Sequence, residues 1–264
     1  MQIFFDIEGT RYKSDLSHAI DISIPLDFQG EQPTAFGLPR AEARAAEVGK
    51  FVGDVRRGGS VNCEVATLCP HASGTHTECV GHLTQQRIAV RDTISAGLLR
   101  ATLVTASTVT VPVTRFHEDA QVQRGEIASL LAAAQPGFLD ALVIRTLPNP
   151  REKRFQSYSG TNPPYLTADA VQAIREAGVR HLLVDLPSLD REKDDGALAA
   201  HRAFFGLAAG DRAVSEIPRR TITELIYADN ATTDGSYLLS LQVAPFVLDA
   251  APSRPLLYAV QPCS

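Results

Sequence analysis

Pro70-His71-Ala72-Ser73-Gly74-Thr75-His76-Thr77-Glu78-Cys79-Val80-Gly81-His82 is the stretch on which the reading of this chain turns. Three of the chain's seven histidines fall within it, beside one carboxylate. Imidazole is the commonest protein metal ligand, and a carboxylate next to it suits Zn, Mn or Fe rather than a purely soft site. Read as an extended segment, His76-x-Glu78 sends both side chains to the same face, where one ion can meet both. Gly74 lets the backbone approach closely or take a left-handed dihedral just ahead of them. A strand from Val61 to Leu68 leads into this turn-rich motif, so the candidate chemistry lies at a strand end and its adjoining loop.

The surrounding composition is that of an ordinary globular chain. Its 264 residues are 44% hydrophobic and 21% charged, and that length suffices for one large α/β domain spanning 1–264 with a sizeable core. The net charge of −5 and the absence of a basic stripe argue against nucleic acid as a partner. No apolar run is long enough to cross a bilayer, and Met1-Gln2-Ile3-Phe4-Phe5-Asp6 lacks the basic and apolar regions of a signal peptide. The expected location is cytoplasmic. Cys63, Cys69, Cys79 and Cys263 form no C-x-x-C pair and are read as buried or free thiols. Cys79 alone lies inside the motif, as a candidate to line the site.

Outward from the motif, the pattern is mixed. Residues 2–14 read as a β-hairpin about Glu8-Gly9, which is also a candidate arm for exchange in a dimer. Residues 19–25 alternate as a half-buried strand. Residues 41–46 have helical composition, and Gly58-Gly59 is a break. The Thr- and Val-rich stretch 101–113 is β-prone. A short helix is expected over 125–134, and Ala141-Leu142-Val143-Ile144-Arg145-Thr146 is apolar enough for a strand buried on both faces. The polar stretch 149–164 reads as a long functional loop. The clearest helix spans 166–178, with Thr167 as N-cap, Asp169 in the first turn and Gly178 as the stop. Residues 181–186 complete a β-α-β unit. Helical residues 197–205 carry His201, and the strand 221–227 carries Glu224. Two further strands, 236–246 and 255–260, are split by Ala250-Ala251-Pro252-Ser253. His18, His117 and His181 have no comparable partners and are read as structural, and Asn162 and Tyr165 as solvated loop residues.

The segment Gly74-Thr75-His76-x-Glu78-x-x-x-His82, with a histidine upstream, resembles the G-T-H-x-D-x-x-x-H signature of the cyclase-like metal hydrolases. That superfamily includes bacterial kynurenine formamidase and isatin hydrolase. Other pieces match in order: Ile20-Asp21-Ile22-Ser23-Ile24-Pro25-Leu26 is similar to the family's opening strand. Leu166-Thr167-Ala168-Asp169-Ala170, followed by Val184-Asp185 and Ser188, is similar to its helix and its V-D-x-x-S strand. Ala200-His201-Arg202 and Ile222-Thr223-Glu224-Leu225 resemble two later motifs. The resemblance implies a single mixed α/β domain with a barrel-like sheet and surrounding helices. It implies one or two Zn2+ or Mn2+ ions, the first on His71, His76 and Glu78, the second on Glu78, His201 and Glu224. His82 is then the proton-transfer residue. This chain departs from the pattern in four places. Glu78 replaces Asp, two residues rather than one separate His71 from Gly74, residues 208–220 form an insertion, and Leu225 stands where Asn is usual.

A metal ion lowers the pKa of bound water from about 15.7 to about 7 and polarises a carbonyl. A histidine with an ordinary pKa near 6.5 then takes a proton and returns it to the leaving group. The implied activity is hydrolysis of an amide, formamide, lactam or lactone in a small-molecule substrate, by a homodimer or homotetramer. Two alternatives stand beside it: a cyclase or dehydratase acting on a polyketide-like or sugar-derived substrate, and a metal-retaining binding protein without turnover. No G-x-S-x-G elbow, Walker A loop or dinucleotide fingerprint is present to support another chemistry.

Overall fold

The computed structural model describes residues 1–94, 96–114 and 117–263. Its centre is a parallel array of four strands in the order Leu98–Ala106, Ala141–Thr146, His181–Val184 and Thr221–Glu224. Antiparallel strands extend the array on both sides. Beyond Leu98–Ala106 come Gly235–Ser240, Leu256–Pro262, Thr10–Asp15 and Gln2–Ile7, with Ile20–Asp21 also pairing to Leu256–Pro262. Beyond Thr221–Glu224 come His76–Glu78 and Ala250–Pro252. The expected mixed α/β architecture, with its large sheet and few helices, is the one observed.

The apolar run at residues 141–146 is buried throughout, because both of its faces are covered. Leu142 and Ile144, with Leu182 and Val184 from the next strand, join a core that includes the buried helical residues Ile127, Ala170, Val171, Ile174 and Phe204. Ala141, Val143 and Leu183 point the other way, toward Ile22, Leu99, Leu103, Tyr237, Leu239 and Leu257. The covering helices are Arg124–Ala133, Ala168–Glu176 and Ala199–Phe205. The predicted β-α-β unit forms: Ala141–Thr146 and His181–Val184 are parallel neighbours joined through the Ala168–Glu176 helix. The N-terminal hairpin lies against its own chain, pairing through Thr10–Asp15 with Leu256–Pro262 and packing Ile7 and Tyr12 on Phe138.

Several local expectations are corrected. Residues 41–46 are no helix: Glu42–Ala45 forms an antiparallel ribbon with Glu64–Thr67. A six-residue segment gains too few helical hydrogen bonds to outweigh cross-strand pairing. The β-prone stretch 101–113 is two strands, Leu98–Ala106 and Val109–Thr114, the second pairing with His117–Val122 outside the main sheet. Thr167 occupies the N-cap position, but its side chain makes no capping hydrogen bond. The strand expected over 236–246 ends at Ser240, and Ala250-Ala251-Pro252, read as a break, is itself a strand of the sheet.

His181 bears out its structural reading. It is fully buried in the central sheet, and its Nδ1 lies 2.8 Å from Thr221 Oγ1. The side chain of His117 lies outside the described residues. Burial lowers the pKa of His181 to about 4, below its ordinary 6.5. Because the folded value is depressed, the unfolded chain binds this proton first. The stability involved is fully present above pH 6.5 and is lost as the pH falls toward 4. Denaturant titrations at pH 7.5 and 4.5 are expected to show the wild-type chain losing about 2 kcal/mol more than the His181→Gln variant. Equal losses would show that His181 is not held neutral.

Candidate metal centre

The site is built on the short strand His76–Glu78, which is hydrogen-bonded on one side to Thr221–Glu224 and on the other to Ala250–Pro252. The antiparallel register places Glu224 opposite His76, and Ile222 opposite Glu78. Directly opposed residues share a face, so His76, Glu78 and Glu224 project together. Thr77 projects the other way and meets Thr223 Oγ1 at 2.8 Å and Ser253 Oγ at 2.9 Å. Gly74, just before the strand, has φ +70°, which Gly adopts without strain. The Thr75 hydroxyl donates to the carbonyl of Leu225 and accepts from the Ile24 amide, tying the start of the strand to its neighbours.

The sequence-predicted residues converge. Glu78 is fully buried, with Oε2 2.9 Å from His71 Nδ1 and Oε1 3.0 Å from His201 Nε2. Glu224 Oε2 lies 3.3 Å from His76 Nε2, and its Oε1 lies 3.4 Å from His201 Nε2. The donor atoms of His71, His76 and Glu78 lie within 4.8 Å of one another, and so do those of Glu78, His201 and Glu224. Glu78 belongs to both of these triads, and a third group within the same distance is formed by His71, His82 and Asp249. The two Glu78 oxygens and His76 Nε2 are buried and make no regular hydrogen bond among the described residues; what approaches them is the imidazole and carboxylate atoms of the cluster itself. Orphaned lone pairs converging from carboxylates and imidazoles are a set that a divalent cation satisfies.

The outward nitrogen of each ring is held. His76 Nδ1 lies 3.1 Å from the Gly74 carbonyl. His201 Nδ1 lies 2.6 Å from Asp190 Oδ2, and His71 Nε2 lies 2.8 Å from Asp249 Oδ2. Asp190 also accepts from the amides of Ala200 and His201. It therefore caps the start of the Ala199–Phe205 helix while fixing the ring that the helix carries. His82, on the 3-10 turn Val80–Leu83, lies against His71 with ring centroids 4.2 Å apart and planes tilted by 31°. Its Nδ1 lies 3.4 Å from Asp249 Oδ2 and 4.0 Å from Glu78 Oε2.

Opposite charges shift these groups together. Burial opposes protonation of His71, but Asp249 and Glu78 overcome it and raise the pKa to about 10. Burial likewise opposes the charge on His201, and Glu78, Asp190 and Glu224 raise it well above the usual histidine range. Burial works against ionisation of Glu78, yet His82, His201 and His71 hold its carboxyl well below the usual range. The same pairing of buried carboxylates with imidazoles thus shifts acid and base in opposite directions.

A cavity of about 370 Å3 opens onto the cluster, lined by His71, Glu78, His82, His201 and Glu224 together with Phe36, Leu38, Cys69, Ser188, Arg191 and Leu198. Cys79 is not among the lining residues. It is buried, its Sγ donates to the Ile88 carbonyl, and burial pushes its thiol up to about 12. Cys69 takes the lining position instead. Asn162 and Tyr165 are half-buried rather than solvated; both donate to Asp119 and neither lines the cavity. Neither Asp190 nor Asp249 belongs to a motif of the sequence. Asp190 lies two residues past Ser188, close enough to the V-D-x-x-S stretch to be signalled by it. Asp249 stands alone in a turn-like stretch and has no such signal.

Comparison with known proteins places the fold. A family model described as a putative cyclase matches residues 14–191. No curated protein matches the chain. A predicted metal-dependent hydrolase from Bacillus stearothermophilus is similar in structure, with a TM-score of 0.58 at 16% identity, covering 91% of this chain and 98% of that one. Isatin hydrolase A from Labrenzia aggregata gives 0.61 at 13% identity, covering 92% and 93%. Isatin hydrolase A from Ralstonia solanacearum gives 0.58 at 13% identity, covering 92% of each chain. At these identities the likeness is one of fold.

Glu78→Gln conserves volume and removes the charge that both triads share. Competition with a chromophoric chelator is expected to show Zn2+ binding at least about 100-fold weaker in this variant than in the wild-type chain, the upper end of what loss of a mere outer partner costs. Undiminished affinity would remove Glu78 from the metal centre.

Proposed function

This chain belongs to the putative cyclase family, and on that premise we propose that it is a metal-dependent hydrolase of acyl C–N or C–O bonds in small molecules. The observation that carries the reading is the buried Glu78 carboxylate, whose two oxygens lack hydrogen-bond partners among the described residues and face imidazoles at the floor of a cavity. Under this reading His71, His76 and Glu78 hold one ion, and Glu78, His201 and Glu224 hold a second. The mixed imidazole and carboxylate donors accept Zn2+ or Mn2+. The bound ion supplies Lewis acidity toward a carbonyl and makes water acidic enough to ionise near neutral pH.

The remaining work falls to the chain. Phe36, Leu38 and Leu198 give the cavity an apolar wall against which the body of the substrate lies, and its size suits a small molecule. His82 lines that cavity and is about 29% exposed. The charged contacts of its ring run through Nδ1, toward Asp249 and Glu78. With Nδ1 so engaged, Nε2 is the atom we assign to take a proton from the attacking water and deliver it to the leaving nitrogen or oxygen. Amides, formamides, lactams and lactones all require this transfer. A proton carrier beside the donor cluster supports turnover over simple metal retention, which needs none.

The test is a panel containing formanilide, isatin, a cyclic imide and a δ-lactone, assayed with Zn2+- and Mn2+-loaded protein. Hydrolysis of at least one class is expected. His82→Ala should lower kcat on that substrate by about 10^2- to 10^4-fold while metal content stays at the wild-type level. No turnover across the panel, or an unchanged rate in His82→Ala, would overturn the reading.

A further inference from the structure

We propose that Asp249 is a positioning residue that holds His71 and His82 on one carboxylate oxygen, turning His71 Nδ1 toward the cation position and His82 Nε2 into the cavity. The inference rests on the hydrolase reading and extends it to a residue outside the motif.

The three imidazoles nearest the carboxylates follow one pattern. Each directs one nitrogen at Glu78 or Glu224 and has the other held by an acceptor. For His76 that acceptor is the Gly74 carbonyl, and for His201 it is Asp190. His71 completes the set: Nδ1 lies 2.9 Å from Glu78, and Nε2 lies 2.8 Å from Asp249. An acceptor on the far nitrogen fixes the tautomer and ring orientation of a ligating histidine and raises its basicity. His71 needs such an anchor most. It sits on a 3-10 turn rather than a strand, and it is more exposed than His76 or His201.

Asp249 does a second thing that Gly74 and Asp190 do not. The same Oδ2 lies 3.4 Å from Nδ1 of His82, whose ring lies tilted against that of His71. One oxygen thus sets the orientation of both a ligand and the proton carrier. With Nδ1 of His82 turned to Asp249, Nε2 is left for the substrate.

The backbone of Asp249 is fixed independently of its carboxylate. Its carbonyl accepts from the Cys79 amide, the Leu248 carbonyl accepts from the Val90 amide, and Ala250 pairs with Glu78 in the sheet. Gly81 lets this segment approach, for a Cβ there would stand 2.3 Å from the Ile88 carbonyl and 3.0 Å from Asp249 Cβ. The Asp249 side chain is about one-third exposed, so truncating it leaves no buried void.

The experiment compares wild type, Asp249→Ala, Asp249→Asn and His71→Ala by Co2+ titration, following the visible d–d absorption, and then by kcat and KM at saturating metal. Asp249→Ala is expected to bind Co2+ about 10- to 100-fold more weakly with an altered d–d spectrum, and to lower kcat with little change in KM. Asp249→Asn keeps an acceptor oxygen and should restore Co2+ affinity to within about tenfold of wild type. Wild-type affinity, spectrum and kcat in Asp249→Ala would overturn the proposal, as would equal losses in the Asn and Ala variants. If His71→Ala loses Co2+ while Asp249→Ala does not, only this inference falls. If the wild-type chain binds no Co2+, the hydrolase reading falls and carries this inference with it.

Discussion

The carboxylate of Glu78 is wholly removed from solvent, and neither oxygen has a hydrogen-bond partner among the described residues. A buried carboxylate in that state is costly unless positive charge comes to it. The surrounding structure brings imidazoles from three separate segments to the paired carboxylates of Glu78 and Glu224. Negative charge recurs one layer out, at Asp190 and Asp249, where each acid fixes the ring that approaches Glu78 or Glu224. The centre is therefore alternating shells of charge rather than a single ion pair. Such an arrangement holds its geometry only where the backbone is rigid.

That rigidity comes from the sheet. The four-stranded parallel core is buried on both faces, and its last strand ends in Glu224. Ligands in open α/β sheets gather beyond the carboxyl ends of the strands, and the loop after His181–Val184 supplies Ser188, Asp190 and the helix bearing His201 at that end. The polar ends of the core strands are secured by a buried network in which Lys153 bridges Asp185 and Thr146. Burial raises the Asp185 carboxyl above its ordinary range even with the Lys153 ammonium beside it. Losing either partner would strand a buried charge.

The backbone records a local cost of the arrangement. Leu225, immediately after Glu224, has φ +54°, a region that branched and bulky residues avoid and Asn tolerates. Here the leucine is fully buried, its amide donates to the Leu186 carbonyl, and its own carbonyl accepts from the Thr75 hydroxyl. These contacts on both sides hold a conformation that the side chain disfavours.

The spacing of His76 and Glu78 alone placed both side chains on one face, because alternation along a strand is a local property of the backbone. The apolar run at 141–146 likewise announced a strand covered on both sides, and the helix at 168–176 announced itself by its apolar positions and its stop at Gly178. The grouping of His201 and Glu224 with the motif was legible only through resemblance to a family, since nothing local ties a helical histidine to a strand more than 120 residues earlier. Residues 250–252 show the limit most plainly. As sequence they read as a break between strands, because a three-residue strand carries too few side chains to display a period. In the folded chain they pair with His76–Glu78 and bring Asp249 to His71 and His82. The sequence by itself determined which side chains have the chemistry to hold a cation and which elements are stiff enough to carry them. Only the tertiary structure decided which acids stand behind the histidines, because those contacts are set by strand register and sheet order, which no short stretch of sequence contains.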